Sequence, residues 1–262
     1  MRLDVALAAR GLARSRSHAR QLIDAGSVLV DGAHAKAGAQ VDDQTVLEVA
    51  EDRYVSRGAQ KLLRALDVFG VDVRGRSAID VGASTGGFTQ VLLERGAQHV
   101  TALDVGHGQF ALPNEVEAGR VRLLEGTNVR DVAPGDLDAA IDLVVTDISF
   151  ISVAFIFEPL AAALPGVADW VLLVKPQFEV GRGSIGDGVV RDAALRENAV
   201  GSVVEAAAGF GLALRGLAKS PIAGAKGNVE YLAHFVNGAA DATQWRAMFA
   251  TTEGGAEACA DS

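Results

Sequence analysis

Between Ala78 and Thr89 the chain reads Ala78-Ile79-Asp80-Val81-Gly82-Ala83-Ser84-Thr85-Gly86-Gly87-Phe88-Thr89. An apolar, strand-like run passes into a glycine-rich turn, and a helical stretch follows from Phe88 to Arg95, closed by Gly96. Glycine is needed where a backbone turns sharply or lets a ligand come close. A second strand then ends in an acid, Asp104. Asp80 and Asp104 thus bracket a strand–helix–strand unit, and an acid at the second position can hold a ribose by its hydroxyls. The turn does not follow G-x-G-x-x-G, and it lacks the Lys-Ser/Thr ending of a phosphate loop. A ligand with a ribose and no phosphates fits better, and S-adenosylmethionine is one. An ordinary strand–helix turn is the other reading, and Asp104 weighs against it.

From Ser77 onward, strands and helices alternate, which predicts an α/β domain with a mainly parallel sheet covered on both faces. Strands are expected over 78–81, 99–105, 121–125, 141–147, 170–175, 212–220 and 231–236, seven in all, with helices over 88–95, 151–164 and 193–208. An earlier helix is expected from Lys61 to Phe69, where Leu62, Leu63, Leu66 and Phe69 have helical spacing. Ligands in such sheets sit beyond the carboxyl ends of the strands. Asp80, Asp104, Asp147 and Lys175 all fall at or near those ends. The stretch 177–192, with Gly181, Gly183, Gly186 and Gly188 beside Arg182 and Arg191, reads as a loop that closes over a substrate or as a plain surface loop. The tail beyond Thr251, rich in Gly, Ala and acids, is expected to lack order.

The first fifty residues form a separate, small α+β unit. Leu3, Val5, Leu7 and Leu12 mark a short helix stopped at Gly11; Ser15 or Ser17 caps a second, ended by Gly26. Val28-Leu29-Val30-Asp31-Gly32 is a strand entering a tight turn, and residues 45–49 are a closing strand. Arg10, Arg14, Arg16, His18 and Arg20 fall together with no acid between Asp4 and Asp24. Arg16 and Arg20, four apart, share a helix face. Phosphates are one partner for that cluster, and solvent is the other. The expected division is 1–52 for this unit, 53–60 for a polar linker, 61–250 for the sheet domain and 251–262 for the tail.

Composition narrows the classes. Apolar residues make up 49% of the 262 and aromatic residues only 5%, so the core is largely Ala, Val and Leu. A net charge of −9 argues against indiscriminate nucleic-acid binding, though not against a local basic face. One cysteine, Cys259, leaves no disulfide framework or cysteine metal cluster, and the five histidines show no ligand spacing, so no metal is expected. The start of the chain has no apolar signal core and no run is long enough to span a bilayer; a cytoplasmic protein is expected.

Two strand ends carry groups suited to chemistry. Asp147 closes Leu143-Val144-Val145, and Lys175 closes Val171-Leu172-Leu173-Val174. Apolar walls push a lysine pKa down, and a neighbouring carboxylate pushes it up and fixes its direction. Such a lysine can steer an alcohol poised to attack a methyl group. Taken singly, each is also the kind of residue that caps a strand in solvent. Base-amino methyltransferases carry Asn/Asp-Pro-Pro-aromatic after the fourth strand. Here the segment is Asp147-Ile148-Ser149-Phe150, so a hydroxyl acceptor is the better expectation.

Larger patterns carry a resemblance. Arg2-Leu3-Asp4, the run Ser15 to Ile23 and the run from Gly26 to Gly32 are similar to the RNA-binding module named after the fourth small-subunit ribosomal protein. That resemblance implies docking on structured RNA through the second helix and the following loop, with Arg2, Arg14, Arg16, His18, Arg20 and Lys36, and Arg57 beyond, as RNA contacts. Val55-Ser56-Arg57-Gly58-Ala59-Gln60-Lys61-Leu62, the glycine turn, Thr146-Asp147-Ile148-Ser149-Phe150-Ile151, Lys175-Pro176-Gln177-Phe178-Glu179 and Gly227-Asn228-Val229-Glu230-Tyr231 together resemble the TlyA family. It joins that module to an FtsJ-like ribose 2′-O-methyltransferase domain with a seven-stranded Rossmann-like class I sheet. The resemblance implies methyl transfer from S-adenosylmethionine to cytidine ribose in ribosomal RNA, on ribosomal RNA or subunits as partners. It implies a tetrad of Lys61, Asp147, Lys175 and Glu230. Asp80, Gly82, Ser84, Gly86, Gly87, Phe88, Asp104, Asn128 and Asp147 are the expected cofactor contacts. Ala59 stands where the family often has a second glycine, and Asp187 where a basic or neutral residue is common. Two other readings are a non-enzymatic RNA-binding assembly factor and, because relatives carry a haemolysin label, a membrane-lytic protein. No segment is long or amphipathic enough to favour the last.

Overall fold

The computed structural model describes residues 1–13, 15–24, 27–49, 54–181, 187–239, 244–255 and 258–259. The chain divides into two compact units, Met1–Arg53 and Tyr54–Ser262.

In the first unit α1 (Leu3–Ala9) and α2 (Arg16–Asp24) pack with a hairpin of β1 (Val28–Val30) and β2 (Leu47–Val49), paired Val28 to Val49 and Val30 to Leu47. Of the two expected caps, Ser15 is the one used: its Oγ accepts the His18 N–H at 3.1 Å. The Asp31-Gly32 pair turns the chain with both residues at positive φ, 49° and 80°, and Val30 and Ala33 exchange backbone hydrogen bonds across it. Leu3, Ala6, Leu7, Ala19, Leu22, Val28 and Val41 form its own small core. The expected stop at Gly26 and the contact at Arg14 lie outside the described residues.

The second unit begins with α3 (Gly58–Phe69), which starts inside the stretch expected as linker; residues 50–53 lie outside the described residues. Then follow β3 (Ser77–Val81), α4 (Gly87–Glu94), β4 (His99–Leu103), α5 (Pro113–Glu117), β5 (Val121–Leu124), β6 (Ile141–Thr146), α6 (Phe157–Ala163), β7 (Asp169–Val174), α7 (Pro176–Glu179), α8 (Ala193–Ala208), β8 (Leu212–Lys219), β9 (Tyr231–Asn237), α9 (Gln244–Glu253) and β10 (Ala258–Cys259). Strand order is β10-β8-β9-β7-β6-β3-β4-β5. Strands β3 to β7 are parallel, and β9 runs antiparallel between β7 and β8. All seven expected strands are present.

Period-two burial explains the two cores. Ile79, Val81, Val144, Leu172, Val174, Tyr231 and Phe235 face α6, α8 and α9, while Ala78, Leu143, Val145, Val171, Leu173 and Leu232 face α3 and α4. Two expectations need correction. The helix expected over 151–164 is a short 3-10 turn, Val153–Ile156, and only then α6. Pro159 is the reason: it can sit in the first turn of a helix starting at Phe157, not in the interior of one starting at Ile151. The tail beyond Thr251 is not without order either. Trp245, Met248, Phe249 and Thr252 recur at helical spacing and are buried, so α9 runs to Glu253, and Ala258–Cys259 adds an eighth, antiparallel strand beside β8. Gly201 makes room for this helix: a Cβ there would lie 2.7 Å from the Trp245 ring.

Candidate active site

The chain leaves β3 to build β4 and β5 on one side, then returns to build β6 and β7 on the other. The carboxyl ends of β3 and β6 therefore diverge into a crevice, the switch point at which such sheets take ligands. Gly82 begins the turn there with φ 84°. A Cβ on Gly82 would lie 3.0 Å from Ile148 Cγ2 and 3.2 Å from the Asp147 carbonyl oxygen, so only glycine lets the two strand ends come this close. Gly87 is tighter still: its Cβ would stand 2.1 Å from Ser56 Oγ.

Two cavities meet at this crevice. One, of about 310 Å³, is lined by Leu103, Asp104, Thr127, Asn128, Val129 and Ile148 among others. The second, of about 350 Å³, is lined by Ser56, Arg57, Lys61, Gly87, Phe88, Lys175 and Glu230 among others. Gly82, Ser84, Asp147, Ser149 and Phe150 belong to both. Asp104 stands at the end of β4, where Oδ2 accepts the Ser84 N–H at 2.8 Å and Oδ1 the Gly106 N–H at 2.7 Å. The glycine cradle with an acid beside it fits a ribose-bearing ligand without phosphates. Asn128 Oδ1 accepts the Arg130 N–H, capping a 3-10 turn at the cavity wall.

The tetrad converges at the second cavity. Lys61 is the fourth residue of α3, Asp147 follows β6, and Lys175 follows β7. Glu230 precedes β9, and because β9 is antiparallel its start lies at the same edge as the end of β7. Lys61 Nζ donates to Glu230 Oε2 at 2.7 Å and lies 3.6 Å from Asp147 Oδ2. Lys175 Nζ lies 2.5 Å from Asp147 Oδ1 and donates to Ser149 Oγ at 2.7 Å. Asp147 therefore bridges both lysines. Lys61, Lys175 and Glu230 are buried, while the Asp147 side chain keeps 21% of its surface exposed. Two ammonium groups balance two carboxylates, which is the condition under which buried charges persist.

Asp80 and Gly86 are not in the lining of either cavity. Asp80 is fully buried beneath the turn, where Oδ2 accepts the Thr89 N–H at 2.9 Å and the Thr89 hydroxyl at 2.7 Å. Burial pushes its carboxyl up to about 7, and Oδ1 has no hydrogen-bond partner among the described residues. It braces the first turn of α4. Several site residues carried no separate signal in the sequence. Ser149, two residues after Asp147, is one: its hydroxyl accepts from Lys175 Nζ. Glu179 of α7 accepts hydrogen bonds from Ser152 Oγ and from the Val153 N–H at 2.9 Å, strapping the loop after β6 to the loop after β7. Asn228 accepts from the Val190 N–H at 3.0 Å and donates to the Gly188 carbonyl at 2.9 Å, tying residues 188–190 to the turn that carries Glu230. Asp187 pairs with Arg191; Arg182, Gly183 and Gly186 lie outside the described residues.

The expected RNA contacts fall in two places. Arg57 lines the second cavity. In the first unit, Arg2, Arg16 and Arg20 gather on Asp4, His18 lies between them on α2, and Lys36 is exposed on the loop that follows β1.

A switch-point crevice beside an ion-paired lysine and carboxylate tetrad defines a class I methyltransferase. The FtsJ-like methyltransferase family matches residues 54–236, and the S4 domain matches residues 1–47. The 16S/23S rRNA (cytidine-2′-O)-methyltransferase TlyA of Mycobacterium tuberculosis is 49% identical over 237 residues, covering 88% of this chain and 87% of that one. Hemolysin A of Brachyspira hyodysenteriae is 41% identical, covering 90% of this chain and all of that one. A solved Streptococcus thermophilus structure with a provisional hemolysin name superposes with a TM-score of 0.75 at 38% identity, covering 97% of this chain and 96% of that one. The chain belongs to the TlyA family, an FtsJ-like methyltransferase joined to an S4 domain. Among the described residues no helix is long and apolar enough to cross a membrane.

Proposed function

We propose that the protein transfers a methyl group from S-adenosylmethionine to the ribose 2′-hydroxyl of cytidine in ribosomal RNA. The observation that carries this reading is the convergence of Lys61, Asp147, Lys175 and Glu230 in the second cavity, with Asp147 shared with the first. The names of the relatives support the substrate, and a ribosomal RNA substrate supports the cytoplasm as the place of action; the S4 unit supports RNA as the partner. Residues 1–52 dock the RNA, and residues 61–250 carry the chemistry.

The donor, when bound, supplies an electrophilic methyl. Asp104 and Asn128 would hold its ribose and adenine, and Gly82, Ser84, Gly87 and Phe88 would shape its path toward Asp147. Lys175 Nζ, fixed by Asp147 and Ser149, meets the acceptor hydroxyl and favours its oxyanion character. Asp147 keeps Lys175 aimed and turns its exposed edge toward the donor. The Lys61–Glu230 pair, buried beside it, seats the nucleotide, and Arg57, which lines the cavity, would meet a phosphate. Alignment and fixed charge supply most of the rate gain. Replacing Lys175 with Ala should lower methyl incorporation into ribosomal RNA by about a hundredfold to a thousandfold, the scale of losing a fixed donor at the reacting atom, while RNA binding persists. Unchanged incorporation would remove the catalytic assignment. Mass mapping of ribose methylation in ribosomal RNA, with and without the protein, reads out the nucleotide.

A further inference from the structure

A fully buried carboxylate sits in the middle of the basic face of the first unit. Asp4, in the first turn of α1, has no exposed surface. Its Oδ1 accepts the Arg2 Nε–H at 3.0 Å, and its Oδ2 accepts the Arg16 and Arg20 Nε–H groups, also at 3.0 Å. Arg2 adds a second bond from Nη2 at 3.3 Å. One carboxylate thus gathers three guanidinium groups, leaving a local charge of plus two. Arg2 first, with Arg16 and Arg20, holds the Asp4 carboxyl well below the usual carboxylate range, so the pin stays charged.

The way the bonds are shared matters more than their number. Arg16 and Arg20 spend Nε on Asp4, and their Nη atoms have no hydrogen-bond partner among the described residues. Both side chains remain exposed, at 55% and 53%. They stand four apart on α2, so their outer edges lie side by side. A guanidinium is planar with five N–H groups, so one edge can be pinned while the other receives a phosphate. A lysine, with a single nitrogen, cannot do both in a fixed plane.

We infer that Asp4 is a positioning residue for RNA: it clamps Arg2, Arg16 and Arg20 so that the outer edges of Arg16 and Arg20 form one preset receptor for a backbone phosphate. This rests on the reading of the arginine face as RNA-binding. It carries a sign opposite to simple charge counting. Replacing Asp4 with Asn makes the face more positive, which alone would tighten binding to a polyanion. Loss of the clamp instead frees two long side chains that must then be ordered on binding, so affinity falls.

The test uses the full chain and in vitro transcripts of 16S and 23S ribosomal RNA, with affinity measured across salt concentrations. Asp4→Asn should bind about tenfold more weakly, the order of fixing two long side chains on binding. Arg16→Lys with Arg20→Lys keeps the charge and should lose a similar factor. Adding Asp4→Asn to that pair should cost little more, because both routes remove the same clamp. Arg16→Ala with Arg20→Ala should weaken binding and flatten the salt dependence by about one phosphate contact. If Asp4→Asn binds as tightly as the parent or tighter while the Ala pair weakens, the clamp is refuted and the RNA face stands. If the Ala pair changes nothing, the RNA face fails and the clamp with it. Should Asp4→Asn unfold the first unit by circular dichroism, the Lys pair decides: a loss at constant charge supports the clamp, and unchanged affinity refutes it.

Discussion

At the scale of single residues, close approach sets function here as much as charge does. Gly224 shows this: its φ of −71° or so is open to any residue, yet a Cβ there would stand 2.0 Å from Glu230 Oε1. The carboxylate, not the backbone, would have to move. Gly224→Ala should therefore fold normally and lower kcat by about tenfold to a hundredfold, the cost of misplacing a site group by an ångström. A kcat equal to the parent would show that Glu230 has slack. Asp80 gives a stability test instead. Burial raises its carboxyl to about 7, while an unfolded chain restores a value near 4. Between those values the native state keeps a proton that the unfolded state has lost, so this group makes stability fall as pH rises from about 4 to about 7. Asp80→Asn lacks that proton equilibrium. Its melting temperature relative to the parent should climb across this window and level off above it. A constant difference would place the Asp80 carboxyl in the ordinary range.

At the scale of elements, the site depends on loops being held to one another. Each tetrad member stands at or near the end of a different element: the first turns of α3, the carboxyl ends of β6 and β7, and the start of β9. Glu179 ties the β6 and β7 loops together through Ser152 and Val153, and the Phe150 and Phe178 rings, 5.4 Å apart, close the same gap. Glu179→Ala leaves the Val153 N–H without its acceptor and should cost about 1–3 kcal/mol of stability. It should also lower kcat, because Asp147 and Lys175 are then no longer held on a common frame. Urea unfolding and steady-state kinetics on the same preparation check both, and loss of stability with unchanged kcat would make the strap purely structural.

At the scale of the whole molecule, the chain forms two units with separate cores, and the proposed division of work between them can be tested. Removing residues 1–52 should weaken binding to ribosomal RNA severely and flatten its salt dependence, while binding of S-adenosylmethionine stays within about twofold, because phosphate contacts set the first and not the second. Isothermal titration with the donor and filter binding with RNA separate the two. If RNA affinity survived the truncation, the arginine face would be a solvated surface.

What could be read from residues alone was local. Alternating apolar positions give each strand its two faces, so seven of the eight strands of the second unit were legible, and the glycine turn announced a crevice because its conformation is demanded residue by residue. Two places went unread for physical reasons. Helix α9 carries its apolar stripe in Ala- and Thr-rich surroundings that give little local signal, and packing reveals it, with Trp245 against Gly201 and Phe249 against Tyr231. Asp80 looks like a cofactor contact, but its strand alternation turns it inward, onto Thr89. The meeting of Lys61 with Glu230, 169 residues apart, belongs to the tertiary structure. Periodicity fixes which side of a strand is buried, but strand order and the reversed direction of β9 decide which ends share an edge. The same holds for Asp4, whose neighbours in sequence say nothing of the guanidinium groups that packing of α1 on α2 brings to it.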